Sequence, residues 1–585
     1  MNGSGLRRLS GGWRSLRPVL WAGLAAFVVT VVLSAVVQSR LQTRKAPAVS
    51  PSASPVPSAS AWGTGQPAAP QPSPSATGTP TSSPAVPSAT APPSPPPATT
   101  AAEGGRTPRP FTSPGFISEP LDGLPTGGVS TPPAHGATPT PSLPTPGAIT
   151  ATQPATAASP ATFASWGGLP YFGVSLARIN PEQGLAQAVE AGVQVARHGI
   201  VRWKDVEPVR TEPPTYIWET AWDLEQDIIS ARQAGIELTV LVLFTPPWAQ
   251  QVAGYSCGSI REDALDEFAQ FLRAMVKRYR VPPYKVKYWE LFNEPDVDPS
   301  AVAPDNGYGC WGDQNDPQYG GKTYARMLQV AYPAIKAADP QARVIFGGLL
   351  LDGPDKASAK FLSGVLAAGG GDFFDVLAFH AYTYFYPGYY SMDIEPAAPW
   401  GDRGGVILGK TAFIRQVLER YGYRKPLYLN EAGYGWAAAD EPPAGYRKAQ
   451  ADYVAKLYAR GLALDLDSVV WYGWRGPGWR QMALLHNDLT PTLGAQAFAF
   501  SVEQLDKASY IGPAGYAGLE GYAFRSGADR VEVVWSADGL EHPVTVPAKA
   551  LRGAFDSSGK PIPHQKSGDR AAFQVLAPIY IRVAP

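Results

Sequence analysis

Eight short runs rich in β-branched and aromatic residues, separated by segments of helical length, limit most strongly what this chain can fold into. Such an alternation is typical of repeated βα units and of a parallel sheet. The predicted strands are 171–175, 193–203, 236–243, 286–293, 343–347, 376–380, 427–430 and 468–472. The intervening helices include 261–279, 323–338, 410–421 and 446–462.

Residues 168–505 therefore predict an α/β fold, a (β/α)8 TIM barrel with long loops. An open, doubly wound sheet is the alternative, but no glycine-rich phosphate-binding turn follows the first strand. From 510 to 585 the pattern changes to short alternating strands, with turns at Asp538-Gly539 and Ser558-Gly559. This segment predicts a small antiparallel, sandwich-like β domain that packs against the barrel.

The N-terminal part predicts a membrane anchor. Residues 19–37 carry no charge and are long enough to cross a hydrocarbon core of about 30 Å as a helix. Arginines in 1–18 would keep that segment cytoplasmic and send the rest outside, although basic residues also follow the helix. A cleaved signal peptide, and hence a secreted protein, is the alternative.

Residues 46–165 consist almost wholly of Pro, Ser, Ala, Thr and Gly. Such a segment cannot bury enough apolar surface to offset the entropy of ordering, so we expect a disordered linker. Its prolines favour extended stretches, which would hold the barrel away from the membrane.

Charge and cysteine content exclude several classes of protein. Lys plus Arg and Asp plus Glu both number 49, so the net charge is zero and nothing indicates a nucleic-acid partner. Cys257 and Cys310 lack the clustered spacing of a zinc site. Because they follow the third and fourth predicted strands of an exported chain, we expect one disulfide; two free thiols are the alternative.

Two glutamates end predicted strands on opposite sides of the barrel mouth. Glu294 ends Tyr-Trp-Glu-Leu-Phe-Asn-Glu in the fourth strand region, and Glu431 ends Leu-Tyr-Leu-Asn-Glu in the seventh. Chemistry in such barrels occurs at the carboxyl ends of the strands. Cleavage of a glycosidic bond needs one carboxylic acid and one carboxylate, so this pair predicts a glycosidase site.

The Trp-Glu-Leu-Phe-Asn-Glu-Pro run at 289–295 and the Leu-Asn-Glu run at 429–431 resemble the catalytic strands of the clan A retaining glycoside hydrolases, which include cellulases, β-xylosidases and α-iduronidase. The resemblance covers 168–505. It implies that Glu294 is the acid/base, that Glu431 is the nucleophile and that Asn293 binds the sugar 2-hydroxyl. It also implies double displacement on an extracellular oligo- or polysaccharide, without a metal or organic cofactor.

The resemblance extends to other positions. Arg197 resembles the clan's second-strand arginine, which contacts the nucleophile, and Arg202 competes for that role. His380 and Tyr382 resemble the histidine and tyrosine that line the site. Glu290 shares the pleat parity of Glu294, and we interpret it as a structural carboxylate paired with an arginine.

Aromatic residues supply further candidates, because pyranose faces stack on aromatic rings. Trp471, at the end of the eighth strand, resembles the clan's aromatic floor beneath the sugar. Trp248 and Trp474, after the third and eighth strands, are candidate subsite residues. The tyrosines that follow the sixth strand fit a sugar cleft or a simple cover of the barrel equally well.

Two other functions use the same residues. A barrel that no longer hydrolyses would serve as a cell-surface carbohydrate-binding module, and a transglycosylase would pass the sugar to an acceptor other than water. The intact pair of glutamates favours catalysis over binding alone.

Overall fold

The computed structural model describes residues 168–304, 306–386, 399–436 and 441–585. In these ranges the chain forms a closed barrel of eight parallel strands followed by two antiparallel sheets, so the predicted barrel and C-terminal β region are confirmed. The predicted segments 1–18, 19–37 and 46–165 lie outside the described residues. None of the helices in the described ranges has the length and apolarity needed to span a membrane.

The barrel strands follow one another around the barrel in sequence order. They are β1 Phe172–Ser175, β2 Val195–Arg202, β3 Glu237–Leu243, β4 Tyr288–Leu291, β5 Arg343–Leu349, β6 Val376–Phe385, β7 Leu427–Trp436 and β8 Ser468–Trp471. The α-helices of the described ranges are α1 Leu185–Glu190, α2 Trp203–Val206, α3 Trp222–Ala234, α4 Leu265–Tyr279, α5 Gly321–Ala338, α6 Phe361–Ala367, α7 Val406–Arg420, α8 Tyr446–Ala463 and α9 Leu493–Leu505.

Helix α4 illustrates why these segments fold as they do. Its apolar side chains recur every three or four residues, and Phe268, Leu272, Met275 and Tyr279 are all buried against the barrel. Acidic residues occupy its first turn and basic residues its last, which suits the helix dipole.

The fourth, sixth and seventh barrel strands differ from the prediction where they reach the mouth. The strand expected at 286–293 ends at Leu291, because the chain turns sharply beyond it. In contrast, β6 and β7 continue to Phe385 and Trp436, and pair with each other above the rest of the barrel. The mouth is therefore higher on the side of β6 and β7.

The C-terminal strands form two sheets. They are β9 Ser509–Pro513, β10 Leu519–Ser526, β11 Asp529–Ser536, β12 His542–Pro547, β13 Leu551–Asp556, β14 Gln565–Ser567, β15 Arg570–Val575 and β16 Ile579–Val583. One sheet has the order β13-β16-β11-β10-β9 and the other the order β12-β15-β14.

The alternation of side chains along β11 explains how the C-terminal sheets pack on the barrel and on each other. Val531, Val533 and Trp535 belong to the same buried cluster as the barrel core, whereas Val534 belongs to the core between the two sheets. The guanidinium of Arg460 in α8 also forms a bidentate ion pair with Glu520 of β10, at 2.7 and 2.8 Å. The five-stranded sheet thus packs on the barrel with one face and on the smaller sheet with the other.

A disulfide joins Cys257 to Cys310 across a separation of 53 residues. Both cysteines are buried, in the loops that follow β3 and β4. The bond thereby ties two loops at the carboxyl ends of the strands.

We predict that the double variant Cys257→Ser, Cys310→Ser is less stable to unfolding than the native chain by about 2–4 kcal/mol, because its unfolded state loses a long loop constraint. Denaturant titration of the full chain, with reduced native protein as a second comparison, measures the difference. Equal stability of the oxidised and variant chains would contradict the prediction.

Candidate active site

Arg197 stands at the centre of the polar groups in the barrel mouth. Its Nε and Nη2 donate to the two oxygens of Glu290 at 2.9 and 2.7 Å, and Nη2 also donates to Asn293 Oδ1 at 2.7 Å. Its Nη1 donates to Glu431 Oε1. Burial by itself lowers the pKa of Arg197, but the charges of Glu290 and Glu431 outweigh it and raise the pKa.

Both oxygens of the Glu290 carboxylate accept hydrogen bonds within the barrel. Besides Arg197, its carboxylate accepts from Asn430 Nδ2 at 2.9 Å and from the Gly348 amide at 3.2 Å. It is completely buried. Glu290 therefore serves to orient the arginine, and through it the second carboxylate.

Glu294 reaches the mouth because the backbone turns after β4. Phe292 and Glu294 both have positive φ values, 64° and 46°, which non-glycine residues rarely adopt. The Glu294 amide donates to the carbonyl oxygen of Gly348 at 2.9 Å, which fixes this turn to β5. The turn replaces the regular strand that the sequence predicted here.

Asn430 and Glu431 both point into the barrel although they are neighbours on a strand. Leu429 of β7 lies opposite Phe379, whereas Glu431 lies opposite the very next residue, His380. Asn430 is thus the extra residue of a β-bulge, and the bulge suspends the alternation of side chains. As a result Asn430 contacts Glu290 while Glu431 contacts Arg197.

His380 lies between the two glutamates. Its Nδ1 is 2.7 Å from Glu294 Oε1 and 3.4 Å from Glu431 Oε2. The hydroxyl of Tyr382 donates to the same oxygen of Glu431. His380 Nε2 is buried without a hydrogen-bond partner in the described residues, so the tautomer that leaves fewer donors unsatisfied carries its proton on Nδ1 and donates it to Glu294.

Burial shifts the pKa values of Glu294 and His380 in opposite directions. Burial raises the pKa of Glu294 to about 8, although the positive charges of Arg197 and Lys410 oppose the rise. Burial lowers the pKa of His380 to about 4, so this histidine is neutral at pH 7. Glu431 accepts hydrogen bonds from the guanidinium of Arg197 and the hydroxyl of Tyr382.

Glu294, His380 and Glu431 each offer one polar atom within 4.8 Å of the others. In the described part of the chain they are the one group with donor atoms close enough to hold a metal ion. The short contact of His380 with Glu294 is already a hydrogen bond, and no fourth histidine, cysteine or carboxylate of the described residues joins the group. One oxygen of Glu294 and one of Glu431 thus lie within 4.8 Å of each other, which is compatible with the carboxyl separation of about 5 Å that double displacement needs.

Aromatic residues line the mouth beside the carboxylates. The ring of Trp479 lies edge-on to Tyr382 at 5.1 Å and to Tyr472 at 6.2 Å. A cavity of about 190 Å³ opens here, with Ser175, Arg197, Leu241, Tyr472, Trp474 and Trp479 among the residues that line it. The buried indole nitrogen of Trp479 has no hydrogen-bond partner in the described residues.

Three predicted aromatic subsites need correction or remain open. Trp471 is not an open floor, because it is fully buried and its Nε1 donates to the carbonyl oxygen of Met482 at 2.9 Å. Trp474 is almost as buried and shows only part of its surface to the cavity. Trp248 packs edge-on against Trp203 at 5.4 Å, in the loop beyond β3, and its predicted binding role stays a prediction.

Arg202 is separated from this site. It pairs with Asp205 at 2.6 Å and lies over the ring of Phe244, so the place beside the nucleophile candidate belongs to Arg197.

The loop between β4 and α5 contributes groups that sequence reasoning missed. Asn293 Nδ2 donates to the carbonyl oxygen of Gly307 at 3.1 Å, and Cys310 anchors the same loop through its disulfide. Burial, and then the charges of Glu294 and Glu431, raise the pKa of Tyr308. No local pattern marked Tyr308 or Trp479, because both lie in irregular loops.

No protein-family model matches the chain, and no curated protein resembles it in sequence. Among solved structures, a family 39 glycoside hydrolase from Bacteroides cellulosilyticus WH2 is 20% identical, with a TM-score of 0.55 over 71% of this chain and 81% of that chain. A GH30 endoxylanase from Clostridium papyrosolvens C71 is 13% identical, with a TM-score of 0.46 over 71% of this chain and 96% of that chain. The first likeness shows a shared fold.

We predict that Arg197→Met lowers stability by about 3–5 kcal/mol, because it leaves the fully buried Glu290 without its counter-charge. Arg202→Met is the matched control, since its half-exposed ion pair contributes no more than about 1 kcal/mol. Denaturant unfolding measures both. Similar losses in the two variants would contradict the central place of Arg197.

Proposed function

We propose that this chain is a retaining glycoside hydrolase that cleaves O-glycosidic bonds of an oligo- or polysaccharide by double displacement. The observation that carries the proposal is the meeting of Glu294 and Glu431, 137 residues apart along the chain (431 minus 294), at the same ring nitrogen of His380. Membership of clan A is part of this proposal, and its support is the pair of strand-end motifs on a barrel fold.

The first half of the reaction uses the two carboxyl groups in different states. The Glu431 carboxylate attacks the anomeric carbon while the protonated Glu294 gives its proton to the departing oxygen, so one C–O bond forms and another breaks. Arg197 and Tyr382 hold the attacking carboxylate through its two oxygens, which leaves its orientation well defined. His380 Nδ1 forms a hydrogen bond to the acid, Glu294.

In the second half, Glu294 takes a proton from water, and the water oxygen displaces Glu431 from the sugar. The same residue therefore serves as acid and then as base. Asn293, fixed between Arg197 and Gly307, is our candidate for binding the 2-hydroxyl with its remaining N–H. We assign Trp479 and Tyr472 to the wall against the sugar. Neither step requires a cofactor.

We further propose that the barrel acts outside the cell, tethered by residues 19–37 and spaced from the membrane by 46–165. A disulfide next to the site is compatible with an oxidising compartment. Protease treatment of intact cells tests this proposal: removal of the barrel without lysis supports it, and protection of the barrel would refute it.

We predict that Glu431→Ala lowers kcat by at least about 10⁴-fold on any aryl glycoside that the native chain hydrolyses. Azide should restore turnover and yield a glycosyl azide of inverted configuration, because the small anion attacks from the vacated side. Glu207→Gln is the matched control, since Glu207 is also a buried carboxyl but lies beside Trp203 in α2.

Product analysis by NMR decides this test. A Glu431→Ala chain with native turnover would refute the assignment of the nucleophile. Binding of polysaccharide by a native chain that turns over none of a broad panel of nitrophenyl glycosides and polysaccharides would favour the binding module.

We predict that kcat/KM falls as the pH rises through about 8, because burial raises the pKa of Glu294 to about 8 and the acid is protonated only below that value. This fall, the alkaline limb of the pH profile, is measured as the pH dependence of kcat/KM on a substrate with a poor leaving group. With Glu294→Ala and a dinitrophenyl glycoside, which needs no acid, the limb should be absent. Its persistence in that variant would assign it to another group.

A further inference from the structure

Lys410 of α7 lies behind the acid/base candidate and contacts two strands of the mouth at once. Its Nζ donates to the carbonyl oxygen of His380 at 2.8 Å and to that of Leu350 at 2.6 Å. Its side chain is almost wholly buried. One ammonium group thus joins the upper parts of β6 and β5.

The Leu350 segment is in turn fixed to the turn that carries Glu294. The carboxylate of Asp296, two residues after Glu294, accepts from the amides of Leu350 and Leu351, both at 2.9 Å. Leu351 has a positive φ of 48°, so this segment depends on outside contacts to keep its shape. Lys410 and Asp296 therefore hold the same short segment from two directions.

Lys410 is unusual for a buried lysine because no carboxylate of the described residues lies within salt-bridge distance of it. Burying an ammonium group is unfavourable unless it is paired. If the position served packing alone, an apolar side chain would fill it at a lower cost in free energy. A neutral hydrogen-bond donor would satisfy one of the two carbonyl oxygens as well. Burial lowers the pKa of Lys410 to about 8, which leaves the ammonium group mainly charged at pH 7. The retained charge therefore points to an electrostatic task.

The charged and titratable groups that influence Glu294 lie on several elements. They are Arg197 on β2, Glu290 on β4, Asp296 and Tyr308 after β4, Asp352 after β5, His380, Tyr382 and Tyr384 on β6, Lys410 on α7 and Glu431 on β7. Of the two cations in this set, Arg197 is already bound to Glu290 and Glu431, whereas Lys410 is bound to carbonyl oxygens alone.

We propose that Lys410 is a positioning residue of the active site: it fixes His380 against Glu294 and provides the positive charge that favours the ionised form of Glu294 when that residue acts as base. This inference rests on the proposed function. Its effect is largest after Glu431 has become an ester, because the base step requires the anion of Glu294. The positive charge of Lys410 holds the pKa of Glu294 below the value that burial and neighbouring carboxylates would give.

The test compares Lys410→Met with Lys410→Arg and with a matched control. Lys425→Met is that control, because Lys425 also donates to a backbone carbonyl oxygen, that of Phe374 at 2.8 Å, but precedes β7 at the other end of the barrel. Two quantities are measured on the full chain: kcat for a dinitrophenyl glycoside, whose hydrolysis is limited by the base step, and the titration of Glu294 by ¹³C NMR of carboxyl-labelled glutamate, assigned with Glu294→Gln.

We expect Lys410→Met to lower kcat by about tenfold or more with little change in KM, and to move the titration of Glu294 upward by about half a pH unit or more. Lys410→Arg should retain most of kcat and the native titration, and Lys425→Met should behave as the native chain does. Thermal unfolding of each variant identifies any that fail to fold.

A Glu294 titration that is unchanged in Lys410→Met would overturn the inference, even if kcat fell, because it would leave Lys410 a structural role alone. The NMR titration does not depend on turnover. A native chain that hydrolyses no glycoside would therefore refute the proposed function, while the titration would still decide whether Lys410 controls the protonation of Glu294.

Discussion

The ion pair between Arg197 and the two glutamates is the interaction on which the site depends. Two nitrogens of the guanidinium group, Nε and Nη2, donate to the two oxygens of Glu290, and the third, Nη1, donates to Glu431. A planar, permanently charged fork suits this task, since it fixes two carboxylates at a defined angle. Glu290 and Asn430 complete the arrangement, so the nucleophile candidate is oriented by a network that the barrel core encloses.

Irregular backbone brings Asn430, Glu431 and Glu294 to the site, which regular strands could not do. Alternation along a strand sends neighbouring side chains to opposite faces, yet Asn430 and Glu431 both point inward because β7 bulges there. Glu294 reaches the same pocket through two positive φ values after β4. The hydrogen bonds of Asp296, Lys410 and Gly348 hold this backbone in place. Through Lys410, the backbone that carries the site is connected to helix α7, to β6 and to the segment after β5.

The barrel and the two glutamates could be predicted because periodicity and strand ends are local properties of a sequence. Arg197 could be found only together with its rival Arg202, since the bulge in β2 places them opposite Thr239 and Leu243 of β3, and only their contacts in three dimensions tell them apart. The burial of Trp471 follows from Met482, 11 residues further on, which takes its ring N–H. Trp479, Tyr308 and Lys410 gain their places from loops and a helix that meet only in three dimensions, and no local pattern marks them.

The central claim is that Glu431 forms a bond to the sugar while Glu294 faces it across the pocket. Trapping with a 2-deoxy-2-fluoro dinitrophenyl glycoside of whichever sugar the chain accepts tests it directly, because the fluorine slows release of the covalent intermediate. Mass spectrometry of the digested chain should find the fluorosugar on Glu431. A fluorosugar attached to Glu294 or Glu290, or turnover of ordinary substrate with inversion at the anomeric carbon, would contradict the account.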